Sequence, residues 1–215
     1  MTREQFAYFL KVTAKTFPKF YDLFLLLGRT GLRLGEALAL QWTDIDVERR
    51  EIQVARAFSA GKIETPKAGH GRAVDMSNQL TASLRHLQVE RNAETLKQGW
   101  KEMPLWVFCT QEGIPFDEHR VRKVFSRVIK AAGLPSHLSP HSSRHTYASL
   151  LLQQGESPAY VQRQLGHASI QLTVDTYGKW LPMGNKAAVN RLDDSDLPAA
   201  SAAPGADPNH HGHAH

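Results

Sequence analysis

Between Pro18 and Thr30 the chain reads PKFYDLFLLLGRT, and no other stretch limits the fold as much. It carries a dense apolar face at helical spacing and ends near Gly28 and Gly31, so it predicts a helix that must be covered by other elements. The segments that follow supply the cover. RLGEALALQW gives a second, short helix, and EIQVARAF alternates apolar and polar residues as a strand does. GKIETPKAGHGRAVDMS contains two more short strands around a tip with Gly69 and Gly71, which predicts a hairpin. LTASLRHLQVERNAETLK is helical. FDEHRVRKVFSRVIKAAGL is a basic amphipathic helix, with Asp117 as its cap and Gly133 as its stop. SPHSSRHTYASLLLQQG and ESPAYVQRQLG each open on Ser-Pro, a cap followed by proline at the first helical position. These elements predict a mainly α domain with one small antiparallel β-sheet, an α+β fold.

The chain of 215 residues is long enough for one domain or slightly more. It holds no apolar run long enough to span a membrane, and the opening MTREQFAYFLKVTAK mixes charges into an amphipathic pattern unlike a signal peptide. The single cysteine, Cys109, lies in LWVFCT and reads as a core residue; it excludes an internal disulfide framework. A cytoplasmic protein is the expectation. The final stretch, DDSDLPAASAAPGADPNHHGHAH, has almost no large apolar residue and predicts a disordered tail over 192–215. Its four histidines (His210, His211, His213 and His215) are read as solvated. The tail also holds four of the 21 acidic residues and no Lys or Arg, which leaves 17 acidic against 26 basic residues in 1–191, a net of +9. A basic body suggests a polyanionic partner, nucleic acid first.

Three short motifs could carry chemistry. In HSSRHTYASL, His141, Arg144 and His145 stand at i, i+3 and i+4 on one helix face. Ser142 occupies the position where a zinc helix would need glutamate, so no metal site is read here. A His-x-x-Arg pair suits a phosphate better: arginine offers a planar fork of donors, and histidine can move a proton near neutral pH. In TGLRLGEALALQW, Arg33 lies in the first turn of a helix, against the unfavourable end of its dipole, a position that makes sense if an anion sits there. Glu36, one turn on, could orient Arg33 or simply pair with it on the surface. In TPKAGHGRAV, Lys67 sits at or near the hairpin tip.

Taken in order, TGLRLGEALAL, PKAGHGRAV, HSSRHT and LGHASIQLTVDTY resemble the catalytic domain of tyrosine recombinases of the phage-integrase type, over roughly Phe17 to Tyr177. The resemblance implies a catalytic set of Arg33, Lys67, His141, Arg144, His167 and Tyr177, with Tyr177 as the nucleophile. Ser142-Ser143 stand where the family more often has Asp-Leu. The implied reaction is cleavage and rejoining of double-stranded DNA through a 3′-phosphotyrosyl intermediate, with no cofactor, no metal and no ATP. Arg33 and Arg144 would clamp the nonbridging oxygens, Lys67 would protonate the leaving 5′-oxygen, His141 would assist proton transfer at Tyr177, and His167 would hydrogen-bond the phosphate.

The resemblance further implies a catalytic domain over 1–191 without the family's N-terminal DNA clamp. It implies a homotetramer on DNA and a monomer without it, with NKAAVNRL as the segment that docks on a neighbour. Arg120, Arg122 and Lys123 of the basic helix are candidates for the DNA-binding surface. The alternatives from other classes are a non-catalytic DNA-binding module of the same fold and a metal-dependent hydrolase using the histidines.

Overall fold

The computed structural model describes residues 1–59, 61–64, 71–181 and 184–193. Lys67 and Gly69, the predicted hairpin tip and most of the C-terminal tail, including its histidines, lie outside the described residues. One compact unit spans Met1–Leu181. It is built on α1 (Arg3–Thr16), α2 (Tyr21–Thr30), α3 (Leu34–Leu38), strands β1 (Ile45–Asp46), β2 (Glu51–Val54), β3 (Ala57–Ser59), β4 (Lys62–Glu64) and β5 (Arg72–Asp75), then α4 (Asn78–Gln98), α5 (Glu118–Ala131), α6 (Pro140–Gln153), α7 (Pro158–Leu165) and α8 (Ile170–Tyr177). A second unit follows, in which α9 (Lys186–Asn190) is capped by the Asn185 side chain. No helix among the described residues is long and apolar enough to cross a membrane.

The apolar stretch from Pro18 to Thr30 supplies the central helix, α2. Leu23 to Leu27 of α2 are all buried, and α2 packs on α1, α4 and α6. Phe6, Phe9, Phe24 and Phe125 meet around it, with Phe9 and Phe125 at 4.7 Å between ring centroids. Five buried Leu and Phe side chains on one ten-residue helix anchor the fold at roughly 1.5–3 kcal/mol each. The helix stops at Gly31, whose φ of 64° is the left-handed turn that glycine takes without strain. A second, smaller core gathers Tyr147, Ala148, Leu152, Val161, Leu165 and Tyr177 from α6, α7 and α8.

Local signals in the sequence held. Asp117 caps α5 by accepting the Arg120 N–H at 2.7 Å, and Ser157 caps α7 by accepting the Ala159 N–H at 3.2 Å. At α6 the Ser142 hydroxyl accepts the Ser139 N–H at 3.0 Å, so one of the two unusual serines closes the helix start. The other, Ser143, is buried, and its hydroxyl has no partner among the described residues.

The sheet differs from expectation. EIQVARAF is not one strand: it breaks after Val54 into β2 and β3. The two strand segments of GKIETPKAGHGRAVDMS do not pair with each other. β5 pairs antiparallel with β2, Ile52 opposite Val74, in a three-stranded sheet with β1. β4 pairs instead with β3 in a separate two-stranded sheet. Burial explains the choice: Ile52, Val54 and Val74 all enter the core, whereas β4 is exposed throughout and has no apolar face for a core sheet.

β3 lies directly on α3. A Cβ added to Gly35 would stand 2.2 Å from the Phe58 carbonyl oxygen, a backbone atom that cannot swing aside. Gly35→Ala is therefore expected to separate α3 from β3 and to cost about 1–3 kcal/mol in urea unfolding. An unchanged midpoint would show that the contact is loose.

Candidate active site

The site candidates come from four separate stretches of chain, and Arg144 joins two of them. It is almost fully buried on α6, at 2% exposure. Its Nη1 donates to the Gly31 carbonyl and its Nη2 to the Leu165 carbonyl, both at 2.7 Å. The guanidinium thus ties the end of α2 to the end of α7. Burial, then the charge of Arg33, lowers its pKa to about 10, which leaves it protonated at neutral pH.

A second arginine, absent from the sequence reading, does the same for β5. Arg72 donates to both oxygens of Glu36, at 2.9 and 2.8 Å, and through Nε to the Gln164 carbonyl at 3.0 Å. Glu36 is buried and also accepts the Arg33 backbone N–H at 2.8 Å and Arg33 Nη1 at 3.0 Å. Burial alone would raise the Glu36 carboxyl. The hydrogen bonds and charge of Arg72, followed by those of Arg33, outweigh it and hold the group below the usual carboxylate range. Arg33 is therefore both oriented by Glu36 and half exposed, its side chain at 51%. Its backbone N–H is taken, so only the guanidinium remains for an anion. Gln164 adds a further clip, accepting the Asp75 N–H at 2.9 Å. Gly166, at φ 65°, lets α7 end against the Arg72 side chain, where a Cβ would come within 2.9 Å.

His167 follows that turn. Its Nδ1 pairs with the Thr173 hydroxyl at 2.8 Å, and its ring lies parallel to that of Tyr177 with centroids 6.2 Å apart. The stretch leading to Tyr177 is the helix α8, and Tyr177 is its last residue. Tyr177 is buried at 2% exposure, and burial raises its pKa, with Arg144 opposing. Its hydroxyl meets His145 Nδ1 at 2.9 Å. His141 stands behind, edge-on to His145 with centroids 4.7 Å apart. Of the other tyrosines, Tyr8 is exposed, whereas the Tyr160 hydroxyl donates to Asp75 at 2.6 Å.

A cleft of about 350 Å³ is lined by Arg33, Glu36, Phe58, Arg122 and His141 among others. A larger cleft, about 770 Å³, holds Arg120 beside Glu90 and Glu94 instead. Arg120 and Arg122 therefore open on different clefts, and Arg122, paired with Glu118, is the one that reaches the candidate site. Among the described residues no cluster of three His, Cys, Asp or Glu is placed to hold a metal.

The electrostatics share one sign. His141, His145 and His167 are all shifted downward, first by burial and then by positive neighbours; these include Arg144 for all three and Arg33 for His141 and His167. For His167 the value falls to about 4. Burial disfavours charge of either sign, and only the smaller contributions of Arg144 and Arg33 favour an anion at this place. The unfolded chain protonates His167 near pH 6.5 and the folded chain near 4, so stability is full above about 6.5 and is lost as pH falls towards 4. Over that range the melting temperature of wild type should fall more steeply than that of His167→Gln. Parallel curves would show that the fold does not lower the His167 pKa.

Arg72, Gln164 and His145 are the site residues that sequence reasoning missed. Arg72 and Gln164 act through contacts spanning 36 and 92 residues of chain, for which one sequence holds no local signal. His145 had one, its i, i+4 pairing with His141, but that was read only against a metal.

The family model described as "Phage integrase family" matches residues 1–180. A tyrosine recombinase XerC-like protein of Caldanaerobacter subterraneus subsp. tengcongensis is 32% identical over 190 residues, 80% of this chain and 48% of the relative. This chain spans about half the length of the curated relatives it matches. The structure of the Tn1549 transposon integrase in complex with transposon right end DNA superposes with a TM-score of 0.73 at 26% identity, covering 89% of this chain and 65% of that one. The catalytic domain of bacteriophage HP1 integrase shares the fold, with a TM-score of 0.60 at 20% identity over 88% of this chain and 92% of that domain.

Proposed function

Because this chain belongs to the phage integrase family, we propose that it is the catalytic part of a site-specific tyrosine recombinase that cleaves and rejoins double-stranded DNA without ATP. The observation that carries the reading is the gathering of His145, His167 and, behind His145, His141 around the buried Tyr177, with Arg144 and Arg33 as the charged neighbours of that group. In the proposed reaction the Tyr177 oxygen bonds to phosphorus, the bond from phosphorus to the 5′-oxygen breaks, and the enzyme keeps a 3′-phosphotyrosyl linkage. Charge growing on the nonbridging oxygens is met by Arg33 and Arg144. Glu36 and Arg72 hold Arg33 in place, and His167 donates to the phosphate. Lys67 protonates the departing 5′-oxygen. The phosphodiester energy stays in the linkage, so a second 5′-hydroxyl reseals the strand.

DNA is the proposed partner, and a homotetramer on two sites the proposed working form. Val189 and Leu192, at 62% and 80% exposure, give the α9 segment apolar side chains for a neighbouring subunit. The test is covalent capture. A pool of randomised duplexes carrying nicks is incubated with the protein in EDTA, denatured, and the protein-linked fraction sequenced. A linked fraction with a common sequence supports the reading. DNA that binds but never links would leave a binding module, and linkage abolished by EDTA would point to a metal-dependent hydrolase.

A further inference from the structure

We propose that His145 accepts the Tyr177 proton as the tyrosine attacks the phosphate, an assignment that rests on the recombinase reading above. Among the described residues, His145 Nδ1 is the one side-chain atom within hydrogen-bonding distance of the Tyr177 hydroxyl, at 2.9 Å. A neutral phenol donates there only if Nδ1 is the bare nitrogen, which makes the ring the Nε2–H tautomer. The two other histidines of the site are engaged otherwise. His141 reaches Tyr177 only by way of His145, against whose ring it stands edge-on. His167 lies over the tyrosine ring with its Nδ1 on Thr173.

A base is needed at this position. Burial raises the phenol above its ordinary value, so phenolate is scarce at neutral pH. Arg144 pulls the other way but cannot itself take a proton. His145 meets the requirements of a base: it holds the tyrosine hydroxyl at Nδ1, and burial, then the positive charges of Arg144 and the Met1 amino group, shift it towards the neutral ring. Its side chain is also exposed, so a proton received at Nδ1 can be passed from Nε2 to water. In the step, the oxygen–phosphorus bond forms, the Tyr177 proton moves to His145 Nδ1, and the bond to the 5′-oxygen breaks as that oxygen takes a proton from Lys67. In resealing His145 returns a proton to the tyrosine.

The experiment measures single-turnover adduct formation on a captured sequence by wild type, Tyr177→Phe, His145→Ala and His145→Asn. Asparagine places an acceptor oxygen near the position of Nδ1 and cannot be protonated, so it separates orientation from proton transfer. Both His145 variants should melt and bind DNA like wild type, since the side chain is exposed. Both should form adduct at least about 100-fold more slowly. Added imidazole should speed His145→Ala. DNA with sulfur at the bridging 5′ position should rescue neither, because a better leaving group does nothing for an undeprotonated nucleophile. The same DNA should rescue Lys67→Ala. A wild-type rate for His145→Asn would make His145 an orienting group only, and rescue by sulfur would move its role to the leaving group; either overturns the proposal. No adduct from wild type, or adduct from Tyr177→Phe, would instead overturn the recombinase reading itself.

Discussion

Tyr177→Phe will fold, bind DNA and form no covalent adduct. The substitution removes one oxygen, whose hydrogen bond is to His145. A bond of that kind contributes only about 1 kcal/mol net. The ring keeps its place: it packs with Tyr147, Leu152, Val161 and Leu165 and lies 5.9 Å from Trp180. The melting temperature should stay within a few degrees of wild type. Catalytically the loss is complete, because phenylalanine has no atom to bond to phosphorus. The other tyrosines are poor substitutes. Tyr147 and Tyr160 have their hydroxyls pushed up by burial, and Tyr160 is further bound to Asp75. Tyr8 stands exposed on α1, outside the cluster of arginines and histidines. A denaturing gel reads the result directly. Adduct that survives in Tyr177→Phe, or maps to another tyrosine by mass spectrometry, would sink the assignment.

What the sequence could disclose followed the range of each interaction. Helix starts at Asp117 and Ser157 were legible because a cap is a contact over two or three residues. The stop at Gly31 was legible because backbone geometry alone selects glycine. Arg33, Arg144, His167 and Tyr177 were named from motifs of a family, and the structure sets His167 against Tyr177 with Arg144 close to both. Strand pairing was not legible. The reading joined β4 to β5 because they are neighbours in sequence, whereas the fold pairs β5 with β2, where Val74 and Ile52 can share one buried face. His145 was misread for a related reason. Its partner lies 32 residues away, so its pairing with His141 was visible and its contact with Tyr177 was not. Arg72 carried no signal at all: an arginine in a short strand ordinarily faces water, and only the buried Glu36 makes it a structural bolt.

That distinction matters most for Arg144, which is at once a bolt and a proposed clamp on the phosphate. Its two terminal nitrogens satisfy carbonyls 134 positions apart in sequence number, those of Gly31 and Leu165. Lysine has one ammonium and cannot span both. Arg144→Lys should therefore keep the charge, leave a carbonyl unpaired, and lose about 1–3 kcal/mol in urea unfolding. Arg144→Met leaves both carbonyls unpaired but also removes a desolvated cation set against Arg33, two effects of opposite sign, so its stability should lie no further from wild type than that of the lysine variant. In adduct formation the order reverses. Lysine retains part of the stabilisation of the growing charge, whereas methionine retains none and should be slower than wild type by at least about 100- to 1000-fold. Unfolding midpoints and adduct rates that rank the two variants in opposite orders would separate the bolt from the clamp. A methionine variant that forms adduct at near wild-type rate would confine Arg144 to holding α2 against α7.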